Sequence, residues 1–219
     1  MKEYIKFLSH TKLFSGISES DIESMLTCLQ ANKLTFSKGE YIFRRGENIR
    51  RIGILVSGLL HIQKDDYWGN CSIINIIKPG NMFGEAYAFP SSGPLLNDVV
   101  CVENSVVIFF DIQKMLTTCN FACKFHSMTI SNLFQAVAEK NLNLIRKLHH
   151  VTQKNTREKL ISYLSEESEK AKSSSFSIPF NRKQLADFLS VDRSAMSNEL
   201  CKMRDEGLLL FDKNNFTLL

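Results

Sequence analysis

Apolar and polar residues alternate with three different periods along this chain. Over residues 1–30, Phe14, Ile17, Ile22, Met25, Leu26 and Leu29 recur at a rough helical spacing. Ser18, with Asp21 three residues on, predicts an N-cap followed by an acidic N3 position. From 34 to 112 the pattern changes to short apolar runs such as Ile52–Val56, Cys71–Ile77 and Val99–Phe110. Gly39, Gly46, Gly53, Gly58, Gly69, Gly80, Gly84 and Gly93 punctuate them, which predicts a small β-barrel or β-roll. From about Lys124 to Val151 there is neither Gly nor Pro. There Ile130, Phe134, Val137, Asn141, Leu144, Leu148 and Val151 are spaced 4, 3, 4, 3, 4, 3, the a/d spacing of a coiled coil. Such a seam calls for a partner helix; the alternative is a helix packed on its own barrel. Asn141 within the seam favours a dimer, because a buried Asn can pair across a two-fold axis and fix register, although it could also face solvent.

A second helix is predicted from Asn155, capped with Glu158 three residues on, through Leu160, Ile161 and Leu164 into the charged stretch 166–172. Ser173–Ser175 break it, and an alternating segment, Phe176–Phe180, follows; the domain boundary is placed near 150–155. Two short amphipathic helices come next. Asn181 with Gln184 forms a capping box, and Leu185, Ala186, Phe188 and Leu189 give the apolar face. Ser190-Val191 reads as the turn and Asp192 as the next cap, with Ala195, Met196, Leu200 and Met203 facing inward. Ser190 stands where a positive φ, and hence Gly, is often wanted. Residues 208–211, 212–215 and 216–219 read as strand, turn, strand, so the unit is a winged helix-turn-helix.

Charge sharpens this picture. The net charge is +4, with 13 Lys/Arg against 13 Asp/Glu in residues 1–139 and 14 against 10 in 140–219. The excess lies where a polyanion partner is expected. Arg193, Ser194, Ser197 and Asn198 occupy the first turns of the second helix, where base edges are read. Arg193 suits guanine and Asn198 adenine, both by bidentate contacts. Lys183 and Lys202 are expected on phosphates. No apolar run approaches the roughly 20 residues of a membrane span, and residues 1–6 lack a signal-peptide pattern, so a cytoplasmic protein without membrane contact is expected.

The order β-roll, long helix, winged helix-turn-helix resembles the catabolite-activator and fumarate-nitrate-regulator (CRP/FNR) family of bacterial transcription regulators. Matching segments run almost end to end: Leu13-Phe-Ser-Gly-Ile17, Lys38-Gly-Glu40, Gly46-Glu47, Ile52–Gly58, Lys78-Pro-Gly80, Phe83-Gly-Glu85 and Asp192–Ser197. The resemblance implies an α+β chain: a cyclic-nucleotide-binding-like β-roll over 1–122, a dimerisation helix and hinge over 123–152, and a winged helix-turn-helix over 153–219. It further implies a homodimer on a palindromic double-stranded operator and contact with RNA polymerase.

The family's cyclic-nucleotide members hold ribose with a Gly-Glu pair and phosphate with Arg-Ser. Gly84-Glu85 matches the first pair, while Leu96-Asn97 stands where the second should be. No basic residue lies between Lys78 and Lys114, so the charge-assisted clamp is missing and cyclic AMP (cAMP) is not expected. Gly84, Glu85, Tyr87, Leu96 and Asn97 are the expected liners of a pocket for another effector; alternatively Glu85 only bonds backbone amides. No cysteine precedes Cys28, so the N-terminal iron–sulfur cluster of the oxygen-sensing members is not expected either. The cofactor is left unknown. Cys119, Cys123 and His126 could ligate a metal or form a redox switch, against the plainer reading of buried thiols and a surface His. Sensing relatives often carry a Glu three residues before a Ser-Arg pair in the recognition helix; Ser194, Ser197 and Asn198 differ, so no operator sequence carries over. An enzyme is the competing class. His10, His61, His126, His149 and His150 sit in no nucleophile or base motif beyond the Cys119 cluster, so none is expected. A signalling module whose winged helix docks protein is the other alternative.

Overall fold

A computed structural model describes residues 1–68, 71–89, 91–116 and 124–219. Two compact units divide the chain, Met1–Ala138 and Glu139–Leu219. The pattern alone places a boundary near 150–155. The units part earlier because the last turns of the long helix pack with the elements that follow it, through His150 against Tyr163 and Phe188.

The first unit opens on α1 (Ile5–Ser9) and α2 (Glu19–Cys28), flanked by short 3-10 turns. The apolar spacing suggests one helical stretch. The chain instead breaks at Thr11 and Ser18, both extended, and Ser18 caps α2 by accepting from the Asp21 amide. Among the described residues eight strands follow: β1 (Asn32–Phe36), β2 (Tyr41–Phe43), β3 (Arg51–Ser57), β4 (Leu60–Asp65), β5 (Cys71–Ile77), β6 (Met82–Phe83), β7 (Asp98–Cys101) and β8 (Ser105–Asp111). They form two antiparallel sheets, ordered β1-β8-β3-β6 and β2-β7-β4-β5.

β8 explains the layering. Val107 and Phe109 enter the roll with Phe43, Leu55, Leu60 and Phe83, while Ile108 and Phe110 face the helices with Phe14, Ile22 and Met25. A strand buried on both faces reads as a near-continuous apolar run, which is why 105–110 lacks alternation. Rings fill the roll: Phe43, Phe83 and Phe109 stand 5.7–6.2 Å apart by centroid. Gly53 permits this filling, since a Cβ there would sit 2.5 Å from Phe83 Cζ.

After α3 (Ile112–Leu116) comes α4 (Lys124–Val151), 28 residues long. Leu133 and Ala136 bury one face of it in the first unit. The second unit holds the end of α4, then α5 (Thr156–Ala171), β9 (Ser175–Ser177), α6 (Arg182–Leu189), α7 (Arg193–Asp205), β10 (Leu209–Asp212) and β11 (Asn215–Leu218). Its three strands are ordered β10-β11-β9, all antiparallel. The wing turn narrows to Lys213-Asn214, tighter than the four-residue turn expected, because Asp212 and Asn215 pair in the ladder. Among the described residues no helix is long and apolar enough to cross a membrane.

Candidate nucleic-acid interface

Local chemistry sets the α6–α7 corner. The Asn181 side chain accepts from the Gln184 amide, and Gln184 Oε1 accepts in return from the Asn181 amide, at 2.9 Å each. The box satisfies two amides that the first helical turn leaves unpaired. α6 ends at Ser190, which adopts the left-handed conformation at φ 53°. A non-glycine residue pays about 1 kcal/mol there, so the turn geometry is strong enough to impose it. Lys159 Nζ covers the last carbonyls of α6, donating to Leu189 O at 3.3 Å and Ser190 O at 3.5 Å. Asp192 then caps α7 by accepting from the Ala195 amide at 2.8 Å.

Leu185, Ala186, Leu189, Met196, Leu200 and Met203 lock the two helices together in one buried cluster. Ala195 is exposed, contrary to the inward position expected from the sequence: the buried stripe of α7 follows 196, 200 and 203, and 195 falls one residue outside it. Arg193, Ser194, Asn198 and Lys202 are exposed along the opposite face, and Lys183 is exposed on α6. Ser197 is half-buried, and its hydroxyl donates to Arg193 O at 2.9 Å.

The scaffold behind this face is ionic and aromatic. Arg157 of α5 reaches Glu199 at 3.5 Å and also pairs with Glu206, tying α5 to the middle and the C-terminal end of α7. That pairing holds the Glu206 carboxyl below its usual range. The Arg182 guanidinium lies 4.7 Å over Phe211 and 5.1 Å over Phe216, joining α6 to the wing.

In the first unit, Gly84 has φ +83°, and a Cβ there would lie 3.1 Å from Ile49 Cδ1. Glu85 is buried beside it, and Tyr87 and Asn97 are half-buried. Leu96 is 61% exposed. Along α4, the residues of the a/d spacing face outward: Phe134 is 74%, Leu144 66% and Leu148 59% exposed. Val137 and Asn141 are exposed as well, and Ile130 is half-buried. Leu142 and Ile145, off that spacing, add to the bare apolar surface. Cys119 and Cys123 lie outside the described residues. His126 is buried, with no hydrogen-bond partner for its Nδ1 among the described residues, which also contain no group of three His, Cys, Asp or Glu able to hold a metal.

Two family models match this architecture in order: a cyclic nucleotide-binding domain over residues 33–120 and a Crp-like helix-turn-helix domain over 158–219. The chain belongs to the CRP/FNR family. It is 26% identical over 106 residues to the CRP-like cAMP-activated global transcriptional regulator of Mycobacterium tuberculosis, a match covering 48% of this chain and 46% of that protein. It is 28% identical over 126 residues to the mouse (Mus musculus) cyclic nucleotide-gated channel alpha-4, covering 52% of this chain and 20% of the channel. The chain thus spans less than half the length of these relatives. Among solved structures, CprK complexed with OCPA superposes with a TM-score of 0.63 at 16% identity, covering 90% of this chain and 91% of that one. The c-di-GMP responsive regulator CLP of Xanthomonas campestris superposes at 0.57 and 14% identity, covering 92% and 99%. The Thermus thermophilus catabolite activator protein gives 0.51 and 17%, covering 95% and 94%. These likenesses show a shared fold: roll, long helix and winged helix-turn-helix.

Sequence reasoning missed the Arg157 clamp and the environment of His150, whose partners Ser162 and Glu166 lie on the next helix. The i, i+4 placement of Ser162 and Glu166 was the available signal. It puts both on one face of α5, but nothing in the sequence aims that face at His150.

Proposed function

We propose that this CRP/FNR family member is a homodimeric, sequence-specific DNA-binding transcription regulator that reads a palindromic operator in the cytoplasm and works through RNA polymerase. The observation carrying this reading is the outer face of α7: Arg193, Ser194, Asn198 and Lys202 are exposed on a helix whose other face is locked to α6. Arg193 and Asn198 supply bidentate donors and acceptors for base edges, with Ser194 and Ser197 beside them, while Lys183 and Lys202 supply phosphate contacts. The bare apolar stripe of α4, with Ile130, Phe134, Val137, Asn141, Leu144 and Leu148, supports dimerisation through this helix. A palindrome follows from a two-fold protein.

The controlling signal is a small molecule other than cAMP, taken by the surroundings of Gly84, Glu85, Tyr87, Leu96 and Asn97. The absence of a basic residue from 79 to 113 supports this exclusion, because a cyclic phosphate would lack a charged clamp in that segment. A redox or metal signal through Cys119, Cys123 and His126 is the second reading, and the buried His126 Nδ1, without a partner among the described residues, favours it. Metal analysis of anaerobically purified protein, with and without Cys123→Ser, separates the two.

Selection of duplexes from a random library tests the main reading. A palindromic consensus is expected, with affinity falling roughly 10³–10⁵-fold between 50 and 200 mM salt if 6–10 phosphates are contacted. Arg193→Ala should lose about 1–3 kcal/mol of discrimination at one base pair in each half-site. Selection that yields no consensus, with weak salt dependence, favours a winged helix that docks protein instead. Asn141→Asp should weaken the dimer in sedimentation; an undiminished dimer refutes the seam.

A further inference from the structure

Within the second unit, the end of α4 meets α5 around one buried titratable side chain that DNA reading does not use. His150 is 2% exposed. Its Nδ1 lies 2.8 Å from Ser162 Oγ, and its Nε2 lies 3.0 Å from Glu166 Oε2. One neutral tautomer satisfies both contacts: Nε2–H donates to the carboxylate, and Nδ1 accepts from the hydroxyl. The order Ser–His–carboxylate is that of a nucleophile relay. Ser162, however, stands in the middle of α5, whose amides belong to the helical ladder, so α5 offers its hydroxyl no oxyanion donors.

The surroundings oppose a charge on the ring. Glu166 already has Lys170 Nζ at 2.7 Å and Arg146 Nε at 3.8 Å, and Lys170 also pairs with Glu167 at 2.7 Å. His149 lies 5.9 Å away, ring to ring. Tyr163 stands perpendicular to the imidazole at 5.6 Å, and Phe188 of α6 lies at 6.3 Å with Lys147 Nζ 5.5 Å from the centroid of the Phe188 ring. Burial pushes the Tyr163 phenol well above its usual range, so it stays neutral. A proton on His150 would therefore place a charge in a buried site between aromatic walls, beside a carboxylate already shared with Lys170 and Arg146. An open cleft of about 470 Å³, lined also by Gln153, Glu158, Ser165 and Glu169, gives water a path to the network.

We propose that His150, Ser162 and Glu166 form a protonation-gated latch, which fixes the last turn of α4 to α5 while the imidazole is neutral and releases it when the imidazole is protonated. Because α4 carries the dimer stripe and α5 is clamped to the recognition helix by Arg157, release would loosen the link between dimerisation and operator reading in mild acid. That consequence rests on the function proposed above; the latch itself does not. Burial holds His150 below the ordinary histidine value of 6.5, outweighing the pull of Glu166. An opened chain therefore takes up the proton first as pH falls past 6.5. The latch is at full strength above that pH and is lost below it.

The test uses the full chain without DNA, so failure of DNA binding and failure of the latch remain distinct. Imidazole NMR titration of the unmodified protein should give His150 a midpoint below 6.5. Amide protection over residues 148–156, corrected for intrinsic exchange, should fall on the acid side of 6.5 by at most about tenfold per pH unit. His150→Gln keeps a neutral donor near the Nε2 position and should hold protection level across the same range. A midpoint at or above the ordinary value, or an equal acid loss in both proteins, overturns the latch. Should the Gln variant fail to fold, Ser162→Ala replaces it: with no hydroxyl serving the neutral Nδ1, the His150 midpoint should rise toward 6.5 and the acid loss should shrink, and an unmoved midpoint overturns the proposal.

Discussion

α4 is held by different chemistry along its length: apolar packing, with Asn132 Nδ2 donating to Leu13 O and Ser15 O, in the first unit, and a titratable network at its last turn. In the first unit Leu133 and Ala136 are buried among Phe14, Ile22, Met25 and other apolar side chains. In the second unit the last turn presents His150 to a hydroxyl, a carboxylate and two aromatic rings. The contrast extends through both units. Ring and methyl groups fill the roll, whereas caps, the Arg157 clamp and the Arg182–wing stack fix α6 and α7. Apolar burial is non-directional and indifferent to pH. Hydrogen-bonded and ionic contacts set orientation closely, and those built on His150, Glu166 and Glu206 titrate. The difference places sensitivity to conditions in the unit that orients the recognition helix.

The largest effect should come from the apolar anchor. Leu133→Ala should cost the first unit about 2–5 kcal/mol in hydrogen-exchange protection, with little change between pH 8 and 5.5. A loss that tracks pH would erase the contrast between the two units. Ser162→Ala comes next: leaving a buried imidazole nitrogen unpaired should cost the second unit about 1–3 kcal/mol near neutral pH, with the first unit unchanged. Asn181→Ala removes half of the capping box and should cost about 1 kcal/mol, read as faster exchange of the first amides of α6. The smallest effect has the opposite sign. Ser190→Gly relieves the left-handed strain and should stabilise the second unit by up to about 1 kcal/mol. Loss of stability there would mean that the Ser190 side chain has a role beyond tolerating the turn.

Acid sharpens the same comparison. Lys170, His150 and Arg146 together outweigh burial and hold the Glu166 carboxyl below its ordinary 4.5. Both members of the His150–Glu166 pair thus have depressed values, and both contributions are lost as pH falls, first that of His150 and later that of Glu166. Exchange protection should therefore decline below pH 6.5 in the second unit sooner than in the first.

Much of the fold was legible because it rests on local rules. Ser18, Asn155, Asn181 and Asp192 each cap the helix they were expected to cap. The 4, 3, 4, 3 spacing of apolar residues from Ile130 to Val151 marked α4. The exposed face of α7 followed from periodicity, except at Ala195, where small size suggests a core position but the register turns it outward. The break between α1 and α2 was less legible, because apolar spacing continued through a segment whose backbone is extended. The surroundings of Gly84 were hardest to read: Gly84 and Glu85 were recognisable as a pair, yet Leu96 turns out largely exposed.

By itself the sequence determined which stretches are helical and which are built of short strands, where most helices begin, and that one helix presents polar residues away from its apolar stripe. Those features depend on neighbours within a few residues, and capping, periodicity and turn chemistry act over that range. Only the tertiary structure decided that Phe83 closes on Gly53, that Arg157 reaches Glu206, and that His150 lies between Ser162 and Glu166. Each of these joins side chains from different elements. Which faces meet is set by packing of the whole unit, and no local pattern records it.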